Sequence, residues 1–435
     1  MPKVTQIFVC SNCASQFSKW QGQCSECGKW NTLFEESIIK STTSNNSPLN
    51  SPLKIINSTD IKSHSYTRYS SNITEFDRVL GGGFVPGQVI LLAGSPGIGK
   101  STLLLQLANY YKKSIYYICG EESPAQVKQR MDRLKINSNN LFFIENTDIE
   151  TINHSISNIS DSLIILDSIN SSFSSKYKSY PGSISNIREC SQLLTNTAKK
   201  NNLNLILVGQ INKDGDIAGP KSLEHIVDTV LNLEGDSNYS FRVLRSQKNR
   251  YGSINETGIF LMTEKGMEPI DNPSKYLLIG KVAGASGSSV CMSLEGTRCM
   301  AVEVQALCVK SSFGFPKRVS SGYSLNRLNL ICAIIEKRIN LPISQYDVYV
   351  NIASGLSLKE PASDLAVCAS IVSSIKNRPI KNGSSFFGEV GLNGEVRPVT
   401  MSSVRVKESE KLKFPNTFYN KTISNITDLI NNSLV

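Results

Sequence analysis

The stretch "VILLAGSPGIGKSTLLLQLANYY" constrains this chain more than any other. An apolar run, Val89–Ala93, enters the pattern GxxxxGK[ST], and an amphipathic pattern leaves it. Strand, loop and helix in that order make a phosphate-binding loop, which demands a sheet carrying ligands at the C-terminal ends of its strands. Gly94, Gly97 and Gly99 let backbone N–H groups wrap the phosphates, and Ser95, Pro96 and Ile98 complete the loop. Lys100 is expected to reach the β- and γ-phosphates and Ser101 to hold Mg2+. Thr102 follows in the helix, whose first turn adds the positive end of its dipole. The expected ligands are ATP and Mg2+.

Three further strand ends belong to the same edge. "SIYYICG" runs into Glu121 and Glu122, and a carboxylate there can orient and deprotonate an attacking water. Glu121 is the first choice, although "EESPAQVKQR" also reads as the acidic start of a helix. "DSLIILDSI" ends at Asp167, expected to hold Mg2+ through water. "NLILVGQ" ends at Gln210, placed to sense the γ-phosphate and pass its state to the loop at 212–222. That loop carries Lys213 and Lys221 among glycines, a composition suited to tracking a nucleic-acid backbone as well as to an ordinary surface. His225 and Asp228 receive no chemical role. The strands "DTVLNLEG", "YSFRVLRSQ" and "GIFLMT" then follow closely, and antiparallel hairpins after such a core resemble the RecA/DnaB class, in which ATP sits between subunits.

Four cysteines stand apart from the other seven. Cys10 and Cys13, then Cys24 and Cys27, form two CxxC pairs that suit a tetrahedral S4 zinc site, with iron on the same thiolates as a minor possibility. A segment of about thirty residues is too short for its own core, so the metal would supply its folding energy. Trp20 and Trp30 flank the second pair and are expected to pack on the site rather than offer a partner surface. Residues 37–60, rich in Ser, Asn, Thr and Pro, read as a tether. The formal charge of +10 fits a polyanionic partner but only weakly selects one. No apolar run approaches the ~18 residues that span a bilayer, and "MPKVTQIFVC" lacks the features of a signal peptide. The expectation is a cytoplasmic protein with no membrane partner.

"KNRYG", residues 248–252, reads by itself as the solvated tip of a hairpin. Taken in order with the four-cysteine motif, "RVLGGGFVPGQVILLAGSPGIGKSTLLLQ", "GEES" and "KDGDIAGPKSLEHIVDTVL", it closely resembles the bacterial RadA (Sms) family over nearly the whole chain. The family's pentapeptide is KNRFG, and Tyr251 here adds a hydroxyl. The resemblance implies a ring-forming, DNA-dependent ATPase of recombinational repair, a homo-hexamer that cooperates with RecA recombinase on single-stranded and branched DNA and drives helicase-like branch migration. It further implies that Lys248 and Arg250 stabilise the γ-phosphate of a neighbouring subunit, or that one of them grips a DNA phosphate.

Beyond Pro273 the chain resembles the proteolytic domain of Lon, with a core at about 347–435. In that resemblance Ser363 of "PASDLA" falls near the nucleophile, but the position of the dyad lysine holds Ser403, and Arg405 and Lys407 are off register. A serine with no positioned base is a weak nucleophile, so Ser363 is expected to be a helix N-terminal residue and the domain a ring scaffold without protease activity. Lys310, Lys317, Arg318, Arg327, Lys337 and Arg338 are candidates to line a DNA path. The expected fold is α/β: a zinc ribbon at 1–36, a linker at 37–60, a RecA-like ATPase at 61–272 and an α+β Lon-like domain at 273–435. An ATP-gated protease and an ATP-switched recombination mediator without motor activity stand as alternatives to the motor.

Overall fold

A computed structural model describes residues 4–10, 15–39, 57, 67–176, 181–210, 222–235, 241–311 and 316–435. The chain divides into two compact units, Met1–Pro269 and Ile270–Val435.

The amino-terminal ribbon is a three-stranded antiparallel sheet in which β1 (Val4–Cys10) lies between β2 (Gln16–Phe17) and β3 (Leu33–Ile39). Its small core holds Cys10, Cys24 and Leu33 with Phe8, Phe17 and Cys27 packed alongside. Trp20 and Trp30 do not pack into it: they are 59% and 69% exposed. The expectation that they cover the site is therefore corrected. The small core is already covered by Phe8 and Phe17, which leaves the indoles outside.

Helix α1 (Thr74–Leu80) opens the ATPase core and ends at Gly81, whose φ of +83° gives the left-handed cap a glycine favours. Strand β4 (Val89–Gly94) runs into the phosphate loop and α2 (Lys100–Tyr110) leaves it. The remaining elements are β5 (Ile115–Cys119), α3 (Pro124–Arg133), β6 (Leu141–Ile144), α4 (Ile149–Ile156), β7 (Leu163–Asp167), α5 (Ile184–Lys200), β8 (Asn204–Val208), α6 (Ser222–Ile226), β9 (Thr229–Glu234), β10 (Phe241–Asn249), β11 (Thr257–Thr263) and β12 (Gly266–Pro269). The nine strands stand in the order β12-β11-β10-β9-β4-β8-β7-β5-β6. From β9 to β6 neighbours are parallel; from β9 to β12 they are antiparallel, the RecA-like arrangement.

Strand β4 is buried along its whole length because both its faces are covered. Ile90 and Leu92 join the core under α1, α2 and α3, whereas Val89 and Leu91 join the core under α4 and α5. This period-two split explains an unbroken apolar run in the sequence.

In the second unit, α7 (Pro273–Leu277) precedes β13 (Ser288–Glu295), β14 (Arg298–Lys310), β15 (Arg318–Ser321), α8 (Leu325–Ile339), β16 (Tyr346–Ile352), α9 (Asp364–Lys376), β17 (Ser384–Phe386), β18 (Glu389–Val390), β19 (Val396–Arg397), α10 (Ser402–Lys411), β20 (Asn416–Phe418) and α11 (Ile426–Ser433). A mixed six-stranded sheet, β15-β16-β14-β13-β17-β20, forms its centre. Burial pushes up the thiols of all seven cysteines outside the ribbon; that of Cys119, at the end of β5, rises to about 12 and that of Cys308, in β14, to about 11.

Candidate ATPase site and zinc centre

The parallel strands β4, β8, β7 and β5 end side by side, and their C-terminal residues converge on one pocket. The pocket has a volume of about 380 Å3, and Gly97, Lys100, Ser101, Glu121, Asp167 and Gln210 are among its lining residues. Gly97 and Gly99 have φ of +75° and +115°, so the loop needs glycine at both positions. A Cβ on Gly99 would also lie 2.7 Å from the Met262 Cε.

Lys100 is nearly buried and donates to the carbonyls of Gly94 at 2.6 Å and Ser95 at 3.0 Å. Burial lowers its pKa, and the charges of Asp167 and Glu121 partly offset that shift. Ser101 Oγ donates to Asp167 Oδ2 at 2.7 Å, which joins the two expected Mg2+-holding groups. A hydroxyl and a carboxylate at that distance are hard oxygen donors of the kind Mg2+ takes.

The two glutamates differ. Glu121 Oε1 accepts from Ser168 Oγ and, at 3.1 Å, from Gln210 Nε2, so the candidate base and the candidate sensor touch. Glu122 is held by Arg130 Nη2 at 2.6 Å. Helix α3 starts just beyond, with Ser123 and Gln126 forming a capping box. Both glutamates line the pocket, Glu121 held by neutral donors and Glu122 in an ion pair.

The sequence did not single out two residues of this neighbourhood, Tyr117 and Arg130. Tyr117 is buried, and its hydroxyl donates to the same Asp167 Oδ2 that Ser101 reaches. Burial first, then the Asp167 carboxylate, raises its pKa well above the usual phenol value, so it remains a donor. Ser168, which continues the strand-end pattern after Asp167, joins them through Glu121. No local pattern marks Tyr117 or Arg130, because one has its partner on another strand and the other eight residues back, before its helix begins.

KNRYG occupies the end of β10 and the turn after it. Asn249 pairs with Thr229, and Thr229 with Ile90, whereas the phosphate loop begins beyond Gly94, level with Leu233. Four residues of strand separate the two levels, about 13 Å. The pentapeptide therefore stands toward the opposite edge of the sheet from its own phosphate loop. Lys248 Nζ donates to the carbonyls of Glu224 and Val227, the latter at 2.8 Å, and burial with the nearby Arg250 lowers its pKa. Arg250, half-exposed, pairs with Asp228 at 3.1 Å. Asp228 is buried and also receives Lys199 Nζ at 2.9 Å and the Val89 amide at 3.1 Å. This residue, given no role from sequence, anchors the motif to the start of β4. Gly252 packs on the α1 cap: a Cβ there would lie 3.4 Å from the Gly81 Cα. Arg68 also donates to the Tyr251 carbonyl. The motifs "RVLGGG" and "KNRYG" are thus neighbours in space.

In the ribbon, the sulfurs of Cys10, Cys24 and Cys27 lie within 4.8 Å of one another, with Cys10 and Cys27 at 3.7 Å. Tetrahedral Zn2+ with bonds of ~2.3 Å sets sulfurs about 3.8 Å apart, so these three donors fit it. Gly28, at φ +69°, makes the knuckle turn after Cys27. Cys13 lies outside the described residues, as do Lys213 and Lys221.

In the second unit Ser363 is buried and donates to the Glu360 carbonyl at 2.8 Å, at the start of α9. Ser403 lies exposed in the first turn of α10. Arg405, wholly buried, grips both Glu360 oxygens, at 2.8 and 2.5 Å. Of the candidate DNA-path residues, Arg327 is bound to Asp364, Arg318 to the Ile343 and Tyr346 carbonyls and Arg338 to Leu392 and Asn393; Lys310, Lys317 and Lys337 are exposed.

Fold and site define a P-loop ATPase of the RecA-like class that carries a zinc ribbon. A family model described as KaiC ATPase matches residues 69–149, and one described as a rubredoxin metal binding domain matches 8–35. The chain is 44% identical over 421 residues to the DNA repair protein RadA of Bacillus subtilis (strain 168), covering 95% of this chain and 92% of that one. It is 42% identical over 425 residues to the protein of the same name from Campylobacter jejuni, covering 96% and 94%. The crystal structure of the RadB recombinase aligns with 46% of this chain and 99% of its own, at 23% identity and a TM-score of 0.39. The chain belongs to the RadA family. No described helix is long and apolar enough to cross a membrane.

Proposed function

We propose that this protein is a DNA-dependent ATPase of recombinational repair that works as a helicase-like branch-migration motor. The near-full-length kinship with proteins named for DNA repair supports the setting. The observation that supports a site completed between subunits is the register of KNRYG. A motif about 13 Å along the strands from its own phosphate loop is badly sited to serve it, which supports a role on a neighbour's nucleotide.

In this reading ATP and Mg2+ bind through the phosphate loop, Ser101 and Asp167. Glu121 deprotonates the attacking water, and Gln210 registers the γ-phosphate through its contact with Glu121. Lys248 and Arg250 complete the site in trans, within a homo-hexameric ring in the cytoplasm. The loop bearing Lys213 and Lys221 moves on single-stranded or branched DNA. The zinc ribbon recruits RecA recombinase, and the exposed Trp20 and Trp30 offer the surface for it.

The test is unwinding of a forked or D-loop substrate with ATP, comparing wild type with Lys248→Ala and Arg250→Ala, with ATPase rate, DNA binding and melting temperature recorded on the same samples. Variants that stay folded and bind DNA but lose coupled unwinding support the trans-acting motor. Wild type that binds DNA and hydrolyses ATP yet never unwinds, alone or with RecA, makes the ATP-switched mediator the better account.

A further inference from the structure

Arg130 and Arg133 stand one turn apart on α3, and both line the nucleotide pocket. Arg133 is exposed at its rim. Arg130 is more enclosed: Nη2 bonds Glu122 at 2.6 Å, while Nη1 is buried and has no hydrogen-bond partner. A guanidinium N–H without an acceptor is costly. The neighbouring acids are already engaged, Glu121 by Ser168 and Gln210 and Asp167 by Ser101 and Tyr117. The acceptor with the right chemistry is a phosphate oxygen, which a planar guanidinium fork suits.

The position also says which phosphate. Arg130 lines the pocket beside Glu122, next in sequence to the candidate base Glu121, and stands close enough to Asp167 and Tyr117 to interact with them electrostatically. That is the reacting end of the triphosphate.

We propose that Arg130 is a same-subunit ligand of the nucleotide's terminal phosphate and that Glu122 is the partner that competes for it. The proposal rests on the ATPase reading above. A triphosphate draws Arg130 from Glu122; once the terminal phosphate leaves, the ion pair re-forms. The bound nucleotide is thereby reported to α3 without help from another subunit.

The test is equilibrium binding of a non-hydrolysable ATP analogue and of ADP, each with Mg2+, to full-length wild type, Arg130→Ala, Arg130→Lys and Glu122→Gln. Arg130→Ala is expected to weaken the analogue about tenfold to a hundredfold and ADP less than about twofold. Arg130→Lys, with charge but no fork, falls between. Glu122→Gln removes the competitor and tightens the analogue. A plain structural ion pair predicts otherwise: Arg130→Ala and Glu122→Gln would lower the melting temperature alike and weaken both nucleotides equally, and that result overturns the proposal. Wild type that binds neither nucleotide overturns the ATPase reading with it.

Discussion

Two regions of this molecule surround the start of a helix with charge. They differ in where the charges point. At the phosphate loop, Lys100, Ser101, Glu121, Asp167 and Arg130 line a pocket of about 380 Å3, and each has a bond that an incoming phosphate or metal can replace. At the start of α9 the cavity is larger, about 570 Å3, yet apart from the exposed Lys359 its charged groups close on one another or on buried partners. Asp364 takes Arg327, Tyr323 and the Val390 amide; Glu360 takes Arg405, Ser293 and the Leu294 amide. Cavity size alone would choose the wrong region. A reactive site keeps exchangeable partners, whereas a structural network satisfies every donor and acceptor within the chain.

The contrast can be broken most sharply at Glu121. Glu121→Gln is expected to cut kcat about a hundredfold to ten-thousandfold while ATP still binds, read as steady-state hydrolysis beside nucleotide binding. A loss under threefold would hand the base role to another group. At the second region, Arg405→Ala strands the buried side of Glu360 and should destabilise that unit by about 3–5 kcal/mol, seen as the loss of one urea transition. Unchanged stability there would mean that the network is not what holds the unit together.

Smaller effects sharpen the picture. Tyr117→Phe removes one of two donors on Asp167 Oδ2 and should raise the Mg2+ concentration for half-maximal hydrolysis about threefold to tenfold, with kcat at saturating Mg2+ within about twofold. A change in kcat alone would show that Tyr117 acts elsewhere. Ser363→Ala should cost less than about 1 kcal/mol and leave ATP hydrolysis intact. Peptide cleavage that vanishes in this variant would make the second region a site after all.

The sequence made the first region readable because its key residues follow local rules. A phosphate loop needs glycines at fixed offsets, and Asp167 and Gln210 fall where buried strands reach the ligand edge. The ribbon was readable for the same reason, since each thiolate pair has two residues between its cysteines. Tyr117, Arg130, Asp228 and Arg405 were not readable. Each works through a partner on another element, 50 residues away for Tyr117 and Asp167 and 45 for Glu360 and Arg405. Tyr117 looked like one more apolar strand residue, and Arg405 like a displaced lysine. The tryptophans misled for a different reason: aromatic rings near cysteines suggest packing, but Phe8 and Phe17 already cover the small core of the ribbon.

The buried thiols have a practical consequence. A maleimide dye reacts with thiolate, and burial keeps the seven cysteines outside the ribbon protonated at neutral pH. With zinc on the ribbon, chelation would expose the ribbon thiols alone. The unmutated chain therefore carries its own attachment point for a fluorophore, and because the label occupies the zinc ligands, the labelled molecule reports ATP turnover with the ribbon disabled.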